Sequence, residues 1–567
     1  MSYLKEQAVP RAGTSQSKPI PGSTQVPNSA GGFAWEVDEF TRLRRWLILG
    51  SEGGSYYASQ QDLTAQNAEI VRTCLAADGA RTVEMIREIS TGGLAPKNDQ
   101  AIYALAMCTA AKDEAVRTLA CATIPDVCRI GTHIFQFAEF VQGFRGWGPA
   151  LVKGVGRWYS AQEPSKLAYQ MVKYRQRDGW THRDLLRLAH PQASTQLHRG
   201  LYDFACGREY VFGDATDHGH TDVDPVADEV AIVEGYVLAQ KAKSADEVAP
   251  LIRQYNLPRE ALLTEHLADP KVWEALLAKM PMTAMVRNLG NMTRNGVLTT
   301  TSTGTKTVVA ALASKDAIRK SMIHPWQILL ALDTYRSGAG RRGSGTWTPV
   351  SAVVDALDEA FYLAFGNVEQ TGQRILLALD CSGSMSQTLM NTDISAAEAS
   401  AAMAMVTVGV EPLVESVTFS NGGSAWLKPE GQRNQFGSYG GGTHRDGIEP
   451  ISLSKRRRLD DVVREVRGRS MGGTDCALPM QYALANEKEI DTFIVYTDSE
   501  TWAGDIHPVE ALRKYREKTG INARLIVVGM TSNEFSIADP DDPWMLDVVG
   551  FDASAPQIMS EFMAGRI

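Results

Sequence analysis

The sequence lacks the cysteine patterns of two large classes of protein. Its seven cysteines are scattered along the chain, and no two of them form a Cys-x-x-Cys pair. An odd number of unpaired cysteines indicates neither a disulfide framework nor a structural zinc site. The pattern favours a reducing compartment, and we predict a cytoplasmic protein.

Long apolar runs and a secretory signal are also missing. No uninterrupted apolar stretch reaches the roughly 18 residues that a membrane helix needs, and no basic region followed by an apolar run opens the chain. We therefore expect neither a signal peptide nor a membrane span. The net charge of −9 argues against a surface coated with basic residues for bulk nucleic-acid binding, but it permits a local basic patch.

Complete catalytic motifs are absent as well. The chain has neither the Gly-x-Ser-x-Gly turn of a hydrolase nor the phosphate-binding loop of a P-loop protein. Asp380 ends a predicted strand and could accept a phosphoryl group, but Ser382 stands where that chemistry requires a second aspartate. We therefore predict a protein that is not an enzyme, with a metal-dependent phosphotransferase or hydrolase as an alternative.

The composition divides the chain into three parts, as expected for 567 residues, which exceed what one core usually organises. Residues 1–32 are rich in Pro, Gly, Ser, Thr and Gln, and predict a flexible tail. Residues 33–370 show helical periodicity in segments of about 10–15 residues separated by Asp, Gly and Pro. Such helix pairs resemble a HEAT-like repeat array, and a non-repeating helical domain is the alternative.

Residues 371–567 alternate short apolar runs with helical segments. Four runs are predicted strands: residues 375–380, 416–420, 492–498 and 523–529. The helices between them, such as 394–406 and 507–518, indicate a parallel α/β sheet covered on both faces. Ligands of such sheets lie beyond the C-terminal strand ends.

Oxygen-bearing side chains gather at these predicted strand ends. The first strand ends in an Asp-x-Ser-x-Ser pattern formed by Asp380, Ser382 and Ser384. Thr474 lies in a Gly-rich loop, and Asp498 ends a later strand. Carboxylate and hydroxyl oxygens suit Mg²⁺ or Mn²⁺, so we predict a site for one divalent cation. The alternative is that Asp380 and the serines cap the following helix.

A basic segment interrupts this negatively charged chain. Residues 164–199 carry seven Lys or Arg against two Asp. Lys173 and Arg177 are four residues apart, so a continuous helix would project both from one face. A second face is predicted for Arg183, Arg187 and His190. Three histidines add hydrogen-bond donors: His182, His190 and His198. Such groups can bind RNA phosphates, although a solvated charged surface is the alternative.

Long segments of both domains resemble the Ro ribonucleoprotein (Ro autoantigen) family. They are LRRWLILGSEGGSYY (43–57), KYRQRDGWTHRDLLRLAH (173–190), KVWEALLAKMPMTAMVRNLGNMT (271–293), IHPWQILLALDTYRSGAGRRG (323–343), GGTDCALPM (472–480) and GMTSNEFSIADPDD (529–542). The resemblance implies a ring of HEAT-type repeats whose ends are bridged by a von Willebrand A-type domain. It further implies Y-like small RNAs on the outer surface, and single-stranded 3′ ends of misfolded noncoding RNAs in a positively charged central hole.

The resemblance also carries residue roles. Lys173, Arg177 and His190 match positions implicated in RNA binding, and Arg175 matches a basic position. The metal-ion-dependent adhesion site of von Willebrand A domains implies direct ligation by Ser382, Ser384 and Thr474. Asp380 and Asp498 would then act through water.

We therefore predict an RNA-binding scaffold in RNA quality control or processing. A nuclease or another protein is an expected partner, its carboxylate occupying an open position on the metal. A metal-dependent protein-interaction adaptor without RNA binding is the alternative. Two segments depart from the family pattern. Residues 206–224 are expected to form a mobile acidic loop, with a metal site as the alternative. Residues 421–458 are expected to be a solvated insertion, with an RNA-facing or partner-facing loop as the alternative.

Overall fold

A computed structural model describes most of the chain. The described residues are 13–49, 60–95, 97–144, 146–210, 212, 228–340, 345–366, 368–389, 394–420, 447–454, 457–469, 473–531, 535–549 and 555–566. Most of the two predicted insertions lies outside these ranges. Within them, no helix has the length and apolar character required to cross a membrane.

The segment before the first helix is ordered against the C-terminal domain. Strand β1 (Val26–Pro27) pairs antiparallel with β2 (Phe33–Glu36), and β2 pairs with the distant β10 (Phe535–Ser536). The predicted flexible tail is therefore wrong for residues 13–32, while residues 1–12 lie outside the described part. The physical reason is that polar side chains of this segment satisfy buried groups of the other domain, a gain that composition does not reveal.

The N-terminal domain is helical almost throughout. Its α-helices are α1 (Glu39–Leu49), α2 (Gln60–Gly92), α3 (Asp99–Cys108), α4 (Glu114–Val127), α5 (Gly131–Phe144), α6 (Pro149–Ser160), α7 (Pro164–Lys173), α8 (His182–Ala189), α9 (Gln196–Cys206), α10 (Ile232–Ala239), α11 (Ala245–Tyr255), α12 (Pro270–Leu277), α13 (Met282–Arg294), α14 (Thr303–Leu312), α15 (Lys315–Ser321), α16 (Pro325–Ser337) and α17 (Ser351–Leu363). Helices near in sequence pack side by side along the array.

Local sequence signals explain several helix ends. The Asp269 carboxylate accepts a hydrogen bond from the Lys271 amide at 2.8 Å, and Pro270 takes the first helical position of α12. Asp78 has φ −155° and ψ 91°, so it kinks α2 where the sequence predicts a break. Capping and breaking residues thus set these boundaries.

The C-terminal domain is a six-stranded sheet with the order β11-β9-β8-β5-β6-β7. Its strands are β5 (Ile375–Asp380), β6 (Val414–Phe419), β7 (Ile448–Pro450), β8 (Thr492–Thr497), β9 (Arg524–Gly529) and β11 (Met545–Val549). All neighbours are parallel except β6 and β7. The four predicted strands are confirmed, whereas β7 and β11 were not anticipated.

Helices cover the sheet. They are α18 (Ala396–Val410), α19 (Leu459–Arg467), α20 (Leu478–Ala485), α21 (Pro508–Thr519) and α22 (Ala555–Met563). Leu377 and Leu379 of β5 join the core that continues into the helical domain, whereas Leu376 and Ala378 join a second core. This alternation is expected for a strand buried on both faces. It places the C-terminal ends of β5 and β8 side by side.

The C-terminal domain contacts both ends of the helical array. At one end, the Arg45 side chain of α1 donates to Asp547 of β11 at 2.6 Å. At the other end, Arg458 pairs with Asp355 of α17 at 2.5 Å, and the Leu459 amide donates to Asp358 at 3.2 Å. The predicted architecture, a helical array closed into a ring by an α/β domain with a mostly parallel sheet, is confirmed.

Candidate functional site

The five predicted metal-site residues are all buried in the C-terminal domain, with at most 2% of each exposed. Asp380 is the last residue of β5, and Asp498 directly follows the neighbouring β8. The Ser382 and Ser384 hydroxyl oxygens lie 3.1 Å apart. The Ser384 hydroxyl acts to lower the pKa of Asp498, so the loops that carry these two residues lie next to each other.

The Asp380 carboxylate is held in place by donors of the protein. Its Oδ1 accepts a hydrogen bond from the Ser382 amide at 2.8 Å, and its Oδ2 accepts one from the Thr497 hydroxyl at 2.6 Å. Both oxygens thus already have partners, which suits a carboxylate that acts through water more than a direct ligand.

The alternative of simple helix capping explains little of this geometry. Only a short 3₁₀ turn, Gly383–Ser386, follows the motif, and the Ser382 side chain makes no capping hydrogen bond to it. The three oxygen-bearing side chains of the motif instead face one another and the Asp498 loop.

Thr474 supplies an oxygen that the protein itself does not use. Its side chain is fully buried, and its Oγ1 has no hydrogen-bond partner among the described residues. Its backbone carbonyl accepts from the Trp502 and Ala503 amides, both at 3.0 Å, so the loop is fixed next to the segment after β8. A buried hydroxyl without a partner is unusual, and a cation at this position would satisfy it.

The pKa values of Asp380 and Asp498 also fit a site for a cation. Burial, reinforced by the nearby Asp498, raises the pKa of Asp380, and burial likewise raises the pKa of Asp498. A divalent cation would favour the charged form of both groups. No group of three or more His, Cys, Asp or Glu side chains is placed to hold a metal within the described ranges, so hydroxyl oxygens are needed to complete this site.

A neighbouring carboxylate escaped the sequence analysis. Asp475 is 1% exposed, and burial raises its pKa to about 7. Its Oδ1 accepts hydrogen bonds from the Ala477 amide at 3.1 Å and from the Gln16 side chain at 2.8 Å. The N-terminal segment therefore buttresses the loop that carries Thr474.

In the basic segment, Lys173 and Arg177 do not share a helical face, so that prediction is wrong. Helix α7 ends at Lys173, and Arg177 lies in a two-stranded hairpin formed by β3 (Gln176–Arg177) and β4 (Trp180–Thr181). The connecting Asp178 and Gly179 have φ of 52° and 82°, as a two-residue hairpin turn requires. The Asp-Gly pair favours a hairpin turn, and this preference ends the helix before the four-residue spacing could place Lys173 and Arg177 on one face.

Aromatic rings lie beside Lys173 and Arg175. The Lys173 Nζ lies 5.3 Å and 5.1 Å from the ring centres of Tyr169 and Tyr174. Burial acts to lower the pKa of Lys173, but Tyr169, Tyr174 and Glu260 together raise it, so the side chain stays charged. The Arg175 guanidinium lies 5.2 Å from the ring centre of Tyr236 and is hydrogen-bonded to its hydroxyl.

Four further side chains of the segment reach solvent. Arg177, Arg183, Arg187 and His190 are all exposed. His190 follows α8 in the left-handed conformation, with φ 42°. Gln176 pairs with Thr181 in the hairpin, so α8 starts near the end of α7. His190 lies eight residues further on, about 12 Å along the helix. His190 therefore lies at the far end of α8 from the hairpin.

Two of the three histidines are structural. His182 is 4% exposed, is hydrogen-bonded to the Tyr159 hydroxyl at 2.9 Å, and has its pKa lowered to about 4 by burial. His198 is 3% exposed and is hydrogen-bonded to the Gln162 carbonyl at 2.9 Å. Only His190 of the three is available to a ligand.

Comparisons with known proteins match both domains. Residues 26–336 match the TROVE domain, and residues 374–563 match the Ro60 vWA domain. The chain is 38% identical to the RNA-binding protein RO60 of Deinococcus radiodurans over 547 residues, which cover 96% of each protein. It is 34% identical to the RNA-binding protein RO60 of Caenorhabditis elegans, over 96% of this chain and 90% of that protein.

A solved structure agrees with these matches. The crystal structure of the Deinococcus radiodurans RO (RSR) protein superposes with a TM-score of 0.67 at 36% sequence identity, covering 94% of this chain and all of that one. Both domains and their order along the chain are thus shared. The chain belongs to the Ro60 family of TROVE-domain proteins.

Proposed function

We propose that this protein binds RNA through its helical domain and serves as a scaffold in RNA quality control or processing. Its ligands would be Y-like small RNAs and misfolded noncoding RNAs with single-stranded 3′ ends. The observation that carries the proposal is the alignment, over 96% of the chain, with a relative named RNA-binding protein RO60. The basic segment of the helical domain supplies side chains suited to this role.

The basic residues proposed to bind RNA lie at two positions on the surface of the helical domain. Lys173 and Arg175 present charges beside tyrosine rings, an arrangement that can accept a phosphate and stack an unpaired base. Arg177 and His190 are exposed and can donate to phosphates of a neighbouring stretch. The distance of about 12 Å along α8 indicates contacts to more than one nucleotide.

The C-terminal domain would hold one Mg²⁺ or Mn²⁺. Ser382, Ser384 and Thr474 would offer their hydroxyl oxygens, while Asp380 and Asp498 would accept hydrogen bonds from metal-bound water. When bound, the ion would supply an open position for a partner's carboxylate, such as that of a nuclease. The buried, unpartnered oxygen of Thr474 supports this part of the proposal.

Sequencing the RNA that is ultraviolet-cross-linked to the purified native protein tests the proposal. We expect enrichment of small structured RNAs and of noncoding RNAs with extended 3′ ends, released as salt rises. The Lys173→Ala, Arg177→Ala double variant is the matched control and should recover less RNA. A metal-dependent adaptor without RNA binding would recover none, and a metal-dependent hydrolase or phosphotransferase would show turnover that Asp380→Ala abolishes.

A further inference from the structure

A cavity of about 470 Å³ lies in the helical domain where three segments of the chain meet. Its walls come from the end of α7, the turn after α11 and the connection between α12 and α13. This volume is within the usual range for small-ligand pockets. Lys173 belongs both to this lining and to the proposed RNA surface, so the two are continuous.

The lining combines an apolar interior with a charged mouth. Ile252, Leu257 and Leu276 are buried and line the interior. The lining also includes five charged side chains: Lys173, Arg253, Arg259, Lys279 and Glu260. All but the half-buried Lys173 are exposed, which places them at the mouth. Four cations against one carboxylate give the mouth a net positive charge suited to a phosphate.

Hydrogen bonds orient two side chains of the lining, Arg259 and Tyr169. Asn288 is 6% exposed; its Oδ1 accepts a hydrogen bond from the Arg259 guanidinium at 3.2 Å, and its Nδ2 donates to the Ala284 carbonyl at 2.8 Å. The Tyr169 hydroxyl lies 3.4 Å from the Lys173 Nζ. The Arg259 guanidinium and the Tyr169 ring are surfaces on which unstacked bases can pack.

We propose that this cavity receives a single unstacked nucleotide of the bound RNA, with its base in the apolar interior and its phosphate on the cationic mouth. The proposal rests on the proposed RNA-binding function and names one subsite of it. A free nucleoside monophosphate has the same chemistry, so the test must separate the two sources.

Two tryptophan variants form a matched pair for this test. Ala278 lines the cavity, is exposed and caps the C-terminal end of α12. Ala313 is likewise exposed and caps the end of α14, but it does not line the cavity. Ala278→Trp should fill the mouth, whereas Ala313→Trp adds the same side chain elsewhere. Arg253→Ala with Lys279→Ala removes two exposed mouth charges and serves as a second probe should the tryptophan disturb folding.

The probe is a structured RNA whose single-stranded 3′ tail contains 4-thiouridine. We expect Ala278→Trp to weaken binding roughly fivefold or more, because one stacked base contributes at least that much, while Ala313→Trp leaves it unchanged. The double alanine variant should weaken binding and flatten its salt dependence, because it removes two cations that face the phosphate. Photo-cross-links should fall on the tryptic peptides 167–173 or 280–287 of the wild type. Ligand-observed NMR with AMP and UMP reports on free nucleotides.

The outcomes separate the two proposals. Wild-type protein that binds the RNA, with unchanged affinity in both cavity variants and cross-links elsewhere, overturns the cavity assignment and leaves RNA binding intact. Binding of AMP or UMP that Ala278→Trp abolishes, without any RNA cross-link at these peptides, overturns it in favour of a free nucleotide. Wild-type protein that binds no RNA overturns both proposals.

Discussion

The Gln16 side chain donates a hydrogen bond to the Asp475 carboxylate at 2.8 Å across 459 residues of sequence. Gln16 is fully buried. Its side-chain nitrogen also donates to the Ile506 carbonyl, and its side-chain oxygen accepts a hydrogen bond from the Gly504 amide. A single residue of the N-terminal segment thus satisfies several buried groups beside the candidate metal loop. Fixing this loop is the physical role that the structure gives to the segment.

Replacing Gln16 with alanine should therefore destabilise the folded protein by about 2–4 kcal/mol, because Asp475 would lose a buried partner. Urea unfolding followed by fluorescence measures the change. Ser17→Ala is the matched control, because Ser17 is exposed in the same segment and should change stability by less than about 0.5 kcal/mol. Equal stability of the two variants would show that Gln16 does not brace the loop.

The Lys173→Ala, Arg177→Ala double variant should bind RNA more weakly whatever the RNA sequence. Each phosphate contact that is lost should flatten the dependence of log affinity on log salt by about 0.7–0.9. Fluorescence anisotropy at several salt concentrations measures both quantities. Lys306→Ala with Lys320→Ala is the control, because both lysines are exposed and outside the basic segment. An unchanged affinity and slope in the first variant would place the RNA site elsewhere.

His190→Ala should affect different RNAs unequally. His190 is exposed and lies about 12 Å along α8 from the end of α7, so an RNA must extend past Lys173 to reach it. We expect the loss of affinity for a Y-like RNA to differ in size from the loss for a 3′-tailed RNA. Competition binding of the two RNAs to one variant makes the comparison, and equal losses would contradict it.

Mg²⁺ should stabilise the protein in a pH-dependent way. Burial raises the pKa of Asp380 to about 7 in the metal-free protein, so the folded state holds a proton that the unfolded state releases near pH 4. The metal-free protein should therefore lose stability as pH rises from about 4 to about 7. Mg²⁺ binds the deprotonated site, so at about a hundredfold excess over Kd it should add about 2.7 kcal/mol near pH 7.5 and much less near pH 5.

Thermal unfolding with Mg²⁺ or EDTA at both pH values measures this difference. Thr474→Val keeps the shape of the side chain but removes the hydroxyl. Because Thr474 Oγ1 has no partner within the described ranges, the variant should match the wild type in EDTA and lose only its response to Mg²⁺. A wild type that responds to Mg²⁺ equally at both pH values, or not at all, would contradict the metal site.

The sequence predicts the parallel sheet and its polar strand ends well because each strand is a buried apolar run. All six residues of Ile375–Asp380 are buried, and such runs have few alternatives to a central strand. The order of strands then places Asp380 beside Asp498. The site residues could thus be named before their distances were known.

Two other features depend on information that a linear pattern does not contain. Gln16 lies in a polar stretch typical of disorder, and only its distant partners make it ordered. From the sequence, His182 is predicted to donate hydrogen bonds to RNA, because it lies in a basic segment. In the structure, its position at the first turn of α8 buries it against Tyr159. The hairpin that separates Lys173 from Arg177 did leave a local signal, the Asp178-Gly179 pair before Trp180.

The two junctions that close the ring differ in chemistry. At α1 the junction contains paired strands and Arg45, which is 1% exposed and bonds both oxygens of Asp547. At α17 it contains the ion pair of Arg458 and Asp355, whose side chains are 44% and 58% exposed. Salt screens exposed pairs far more than buried ones. The Arg45–Asp547 pair is therefore shielded from salt, whereas the contribution of the Arg458–Asp355 pair to the second junction falls as ionic strength rises.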